Sequence, residues 1–131
     1  MIMTAAITCL ALNVYHEARN ENMNGMYAVA SVVINRVQDD RWPNNVCAVI
    51  KDGYRKDSHK CQFSWYCDGK SDVPYEDRAW ALAVLVADDV LRGNVGDVSL
   101  GATNYHANYV KPIWAKNLTR TVSYGSHIFY K

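Results

Sequence analysis

Seven residues near the start of the chain, Tyr15 to Glu21, read YHEARNE and bring two carboxylates, an imidazole and a guanidinium together. A His-Glu pair opens the zinc-protease helix motif, which needs a second His four residues after the first so that both ligands share a helical face. Position 20 is Asn, so the spacing fails, and His106 and His127 lie too far along the chain to be a constrained replacement. The carboxylates offer other chemistry. Glu17 follows Val14 by three residues and Leu10 by seven, and Glu21 follows Val14 by seven. On one helix both would run along the apolar stripe. A carboxyl group there loses hydration in its charged form and its pKa rises. An acid still protonated near neutral pH is what cleavage of a glycosidic bond asks of its proton donor. Glu17 is therefore the candidate catalytic acid. Glu21 is a candidate substrate-binding group, or the base that would activate a water. His16 reads as a polar cleft residue and Arg19 as an ion-pair partner. The plainer alternative is a solvated helix end.

Two further stretches suit sugars. CQFSWYCDG (Cys61 to Gly69) sets Gln62, Ser64 and Trp65 inside a cysteine-bracketed loop, and GATNYHANYVKPIW (Gly101 to Trp114) sets Asn104, Tyr105, His106 and Asn108 on another. Aromatic faces stack on pyranose C–H faces, and amides pair with hydroxyl and acetamido groups. Asn104, His106 and Asn108 alternate, so an extended segment over 102–109 would aim all three one way. The expectation is that this face looks at Glu17 and holds the glycan. The alternative is that Asn104 and His106 satisfy buried backbone groups. Trp80 reads as core.

These groups need elements to position them. Apolar residues at helical spacing predict a helix from Thr4 to Ala18, and a second opening at Asn24-Gly25 and ending at Asp39-Asp40, with Met26, Val29, Ala30, Val33 and Val37 inward. Asn44 or Asn45 caps a short third helix through Ile50. Residues 51–74 read as a long irregular excursion, of the kind that is functional or cross-linked. Pro74 leads into the strongest helix, Tyr75 to Arg92, largely buried and stopped by Gly93. The tail TRTVSYGSHIFYK predicts a β-hairpin turning at Tyr124-Gly125-Ser126. The fold class is α+β, mainly α, in a single domain spanning 1–131 with a small C-terminal hairpin.

With 14 basic and 13 acidic residues in 131, the chain is not a general nucleic-acid binder. No acidic residue follows Asp97, while Lys111, Lys116, Arg120 and Lys131 do. That run is either a solvated surface or a lip facing an anionic polymer. Cys9 sits among Ile7, Leu10 and Ala11 and reads as a free core thiol. Cys47, Cys61 and Cys67 are candidates for a bridge. With His59 they are also candidates for a zinc site, although the six-residue spacing of Cys61 and Cys67 is wide for a zinc knuckle. No run of 18 apolar residues occurs, so no membrane insertion is expected, and the N-terminal stretch lacks the basic start of an export signal.

Six motifs in order, ALNVYHEARNE, AVASVVINRV, WPNNVCAVI, CQFSWYCDG, GATNYHANYVKPIWA and GSHIFYK, cover nearly the whole chain. Together they resemble the cell wall hydrolase family of the spore cortex-lytic enzyme SleB. The resemblance implies a lysozyme-like fold and action on peptidoglycan glycan strands. It also implies a catalytic acid at the first Glu of the E-A-R-x-E motif, here Glu17, in a lytic transglycosylase reaction that needs no metal or other cofactor. His16 and Asn20 depart from the family pattern, which would alter the cleft shape but keep the acid. The alternatives are a muramidase, an N-acetylmuramoyl-L-alanine amidase, for which no zinc triad can be assembled, and a non-catalytic wall-binding module. The expected protein is a monomer acting on the bacterial wall, a compact phage endolysin or a small wall-remodelling enzyme. Without an export signal it would stay cytoplasmic until released or exported by other means.

Overall fold

The computed structural model describes residues 2–55 and 60–131. Thr4 caps the first helix, α1 (Ala5–Ala18), its hydroxyl accepting from Ile7 N at 3.1 Å. The buried stripe Ile7, Leu10, Ala11, Val14 and Ala18 is the one the periodicity predicts. The helix stops at Ala18, so Glu21 belongs to the turn that follows rather than to the stripe. Asn22, not Asn24, caps α2 (Met23–Val37), with Oδ1 accepting from Gly25 N at 2.8 Å. Gly25 packs closely against the turn, since a Cβ there would stand 3.0 Å from Glu21 Cβ and press on it. Asn45 caps α3 (Val46–Ile50) as expected. The last helix, α4 (Asp77–Leu91), starts two residues later than its apolar pattern suggests. The Tyr15 hydroxyl accepts from the backbone N–H groups of Tyr75 and Glu76, at 3.0 and 3.1 Å, and holds them outside the helix. Only Ala83, Val86 and Ala87 of α4 are fully buried, so it lies on the flank of the core rather than inside it.

Helices α2, α3 and α4 pack around α1, whose Leu10, Val14 and Tyr15 are fully buried. The expected terminal hairpin forms from β2 (Arg120–Tyr124) and β3 (His127–Tyr130). A strand not foreseen as such, β1 (Asn104–Ala107), pairs with β3 and makes a three-stranded antiparallel sheet of order β1-β3-β2. Tyr105 lies opposite Phe129 and Asn104 opposite Tyr130. The Phe129 face closes onto the helices, with Phe129 itself fully buried. No described helix is long and apolar enough to cross a membrane.

The cysteines pair differently from the expectation. Cys9 is not a free thiol but is bridged to Cys47, with Cα atoms 5.3 Å apart, which ties α1 to α3. It sits on the flank of α1, and its apolar neighbours in sequence could not reveal that α3 docks there. Cys61 is bridged to Cys67, Cα atoms 6.1 Å apart, and the bridge closes the loop around the 3-10 turn Ser64–Cys67. With all four sulfurs in disulfides the zinc reading of Cys47, Cys61 and Cys67 falls; His59 lies outside the described residues. On the loop-closure account the longer bridge contributes about 4 kcal/mol and the shorter about 2 kcal/mol. Alkylating the oxidised, unfolded protein is expected to add no label, and prior reduction to expose all four thiols, as read by intact mass. Label without reductant would refute one or both bridges.

Candidate active site

The last turn of α1 delivers His16 and Glu17 to one end of a cleft of about 390 Å³. Its remaining walls are Ser64 and Trp65 from the cysteine loop, then Asp68, Lys70, Ser71, Asp72 and Tyr75 from the segment entering α4, with Arg19 beside them. Trp65 and His16 are held in the wall by defined contacts. Trp65 Nε1 donates to Asn13 Oδ1 at 2.8 Å inside the core. The Trp65 ring stacks on His16, centroids 4.6 Å apart and planes 19° from parallel. His16 Nε2 donates in turn to the Asp72 carbonyl at 2.9 Å, which sets its tautomer. Arg19 lies over the rings of Tyr15 and Tyr75, at 4.5 and 5.0 Å, with Glu76 at 3.8 Å, in the structural role its position suggested.

Glu17 is half-buried, and its Oε1 accepts from the Tyr105 hydroxyl, which reaches it from β1. Burial raises the Glu17 carboxyl above the ordinary value of 4.5, against the opposing pull of the Tyr105 hydroxyl and the charges of Arg36 and His16. Burial and the neighbouring Glu17 push the Tyr105 phenol well up, so it remains a donor throughout the ordinary pH range. Arg36, at the end of α2, is a buried cation. Its Nε donates to the Thr103 carbonyl at 2.7 Å, and its guanidinium lies 5.0 Å from the Trp42 ring and 5.2 Å from that of Phe63. Burial also raises the pKa of Asp72 in the cleft wall, but Glu17 is the cleft carboxyl with a fixed hydroxyl on one oxygen. Among the described residues Oε2 is left to carry the proton.

Glu21 does something else. Its Oε1 accepts from Ser126 N at 2.8 Å and Ser126 Oγ at 3.0 Å, and it does not line the cleft. The clamp needs glycine at the hairpin tip: Gly125 has φ +51°, and a Cβ there would meet Glu21 Oε1 at 2.6 Å. Ser64 and Trp65 line the cleft with Glu17 as the sequence suggests, whereas Tyr105, expected to bind substrate, lies outside the cleft lining and bonds Glu17 itself. Gln62 is exposed, outside the cleft lining, with its N–H bonded to the Asp52 carbonyl. The face expected to look at Glu17 looks away. Because Tyr105 points at Glu17, its neighbours Asn104 and His106 fall on the outer side of the sheet. There His106 stacks on Tyr130, and Asn108 lies exposed beyond the end of the strand, its N–H bonded to the Ser126 carbonyl.

Arg36 and Asn13 went unnoticed, yet both left a trace: each is a polar residue at a stripe position, Arg36 three after Val33 and Asn13 three after Leu10. Asp68 to Tyr75 leave none, because an irregular segment has no period. No cluster of three His, Cys, Asp or Glu able to hold a metal occurs among the described residues.

A model of the cell wall hydrolase family matches residues 20–130, a span beginning three residues after Glu17. The spore cortex-lytic enzyme of Halalkalibacterium halodurans is 33% identical over 124 residues, which is 94% of this chain. The chain spans only 34% of that relative's length. The solved catalytic domain of the germination-specific lytic transglycosylase SleB from Bacillus anthracis superposes with a TM-score of 0.78 at 29% identity, covering 99% of this chain and 97% of that one. The catalytic domain of the Bacillus cereus SleB protein gives 0.72 at 27% identity, over 96% and 89% of the two chains. The mainly helical architecture with its small terminal sheet is thus that of the SleB catalytic domains. Matched over most of its length by the family and from end to end by two of its solved domains, the chain belongs to the cell wall hydrolase family.

Proposed function

We propose that residues 1–131 form one catalytic domain that cleaves the bond between N-acetylmuramic acid and N-acetylglucosamine in peptidoglycan, as a lytic transglycosylase with Glu17 as its single catalytic group. The observation that carries this reading is a half-buried carboxyl with a raised pKa at the end of a polar cleft, while the second carboxylate of the motif is consumed by the hairpin tip. Family membership and the likeness to domains described as lytic transglycosylase support it.

Protonated Glu17 gives its proton to the glycosidic oxygen, and the bond to the muramoyl anomeric carbon breaks with positive charge developing there. The N-acetylglucosamine side leaves as an alcohol. The Glu17 carboxylate then takes the proton of the muramoyl 6-hydroxyl as that oxygen closes on the anomeric carbon. A 1,6-anhydro ring forms, the acid is restored and no water is consumed. One carboxylate serves both steps, so no second one at a fixed separation is needed. Tyr105 holds Oε1, which orients the acid, and Ser64 and Trp65 offer a hydroxyl and a ring edge to the sugar.

Digesting purified peptidoglycan and weighing the fragments tests the proposal. The expected products are anhydro-muropeptides, each one water lighter than the hydrolytic product. Reducing muramoyl ends would make the protein a muramidase, free stem peptides an amidase, and no fragments a binding module; any of these overturns the reading.

A further inference from the structure

The outer face of the terminal sheet takes no part in this chemistry, yet it carries the groups that suit a glycan. Pairing puts His106 of β1, Tyr130 of β3 and Arg120 of β2 on that face, with Asn104 beside them. The His106 ring stacks on Tyr130 with centroids 5.2 Å apart, and Trp114 meets it edge-on at 5.7 Å. His106 Nε2 and the Tyr130 hydroxyl lie 2.8 Å apart, so the rings hold one another in place. Beyond the rings, Tyr109 and Ile113 are 83% and 80% exposed, far more than ordinary packing would leave two large apolar groups four residues apart.

Along the chain the charge in this region has one sign. No Asp or Glu follows Asp97, and the Asp97 carboxylate is taken up by Ser99, Gly101 and Asn35. Lys111, Lys116 and Arg120 are exposed, and none of them enters an ion pair among the described residues. A neutral glycan would be served by the rings alone. Rings on a segment that also carries exposed cations, with no ion pair among the described residues, fit a glycan that bears carboxylates, as peptidoglycan does on its stem peptides.

We propose that this face is a second, non-catalytic docking surface for peptidoglycan, gripping a strand next to the one in the cleft. The inference rests on the proposed action on peptidoglycan. Its physical value is retention: two weak contacts on one cross-linked mesh convert the second binding event into an intramolecular one.

The test uses the 131-residue chain carrying Glu17→Gln, so that nothing is digested, and sacculi stripped of accessory phosphate polymers. Binding is measured by co-sedimentation with and without Lys111→Glu, Lys116→Glu and Arg120→Glu. A control of equal charge change carries Lys51→Glu, Arg55→Glu and Arg78→Glu, and melting temperatures check that all variants fold. The first triple is expected to weaken sacculus binding at least about tenfold and to flatten its salt dependence, and the control to leave both nearly as they were. Equal effects of the two triples, or none from the first, overturn the docking face while leaving the catalytic reading standing. Loss of binding to phosphatidylglycerol vesicles with sacculus binding intact overturns it in favour of a membrane surface. Sacculi that fail to retain even the Glu17→Gln parent sink the docking face and the action on peptidoglycan together.

Discussion

Glu17→Gln is expected to lower wall-lytic activity by at least about a hundredfold, the usual scale for losing a general acid. Gln keeps the length, the planar end and an oxygen able to accept from Tyr105, but it has no proton to give. Stability should move the other way. Burial raises the Glu17 pKa in the folded chain above its unfolded value of 4.5. The neutral acid is therefore compatible with folding below that value, and ionisation erodes stability as the pH climbs through the higher folded value. A neutral Gln escapes this loss, so at neutral pH the variant should melt no lower than the parent. Turbidity clearance of a wall suspension and a thermal melt on the same preparation decide both points. Near-normal clearance would remove Glu17 from the mechanism, and a lower melting temperature would mean that the carboxylate is held ionised by contacts stronger than its burial.

The sequence made Glu17 legible because an acid on an apolar helical stripe is a local contradiction, and the period of the helix displays it. Glu21 leaves the stripe that its spacing suggests, since nothing in the periodicity marks where α1 ends. Asn22, three residues before Gly25, begins a new helix, and the chain must leave the stripe before that cap. The hairpin was legible from alternation and from glycine at its tip, but β1 was not. Four residues are too short a strand to announce themselves, and their pairing with β3 spans more than twenty residues of chain. Without that pairing the side of the segment facing Glu17 was undetermined, and reading His106 inward instead of Tyr105 is the one-residue error to which a strand is prone. The bridge between Cys9 and Cys47 depends on α3 docking against α1, a tertiary fact with no local signature.

Tyr105 is where that error matters most, and Tyr105→Phe isolates its hydroxyl. The ring stays packed 5.4 Å from Phe129 and 5.1 Å from His127, so the sheet and its contact with α1 should survive. What disappears is one hydrogen bond to the acid, an interaction of about 1.5–3 kcal/mol when the acceptor is charged. The expected fall in kcat is therefore roughly 10- to 100-fold. KM should change little, since Tyr105 does not line the cleft. The pH profile separates an electrostatic role from a merely structural one. In the parent the hydroxyl pulls the Glu17 pKa down against the larger effect of burial. Removing it leaves burial less opposed, so the folded pKa rises further. Activity that needs protonated Glu17 falls as pH rises through that pKa, and the alkaline limb of kcat in Tyr105→Phe should move to higher pH. A general loosening of the sheet would lower activity at every pH without moving the limb, and it would lower the melting temperature as well. A limb that stays in place, or one that moves to lower pH, would mean that Tyr105 does not set the acid from which the proposed reaction starts.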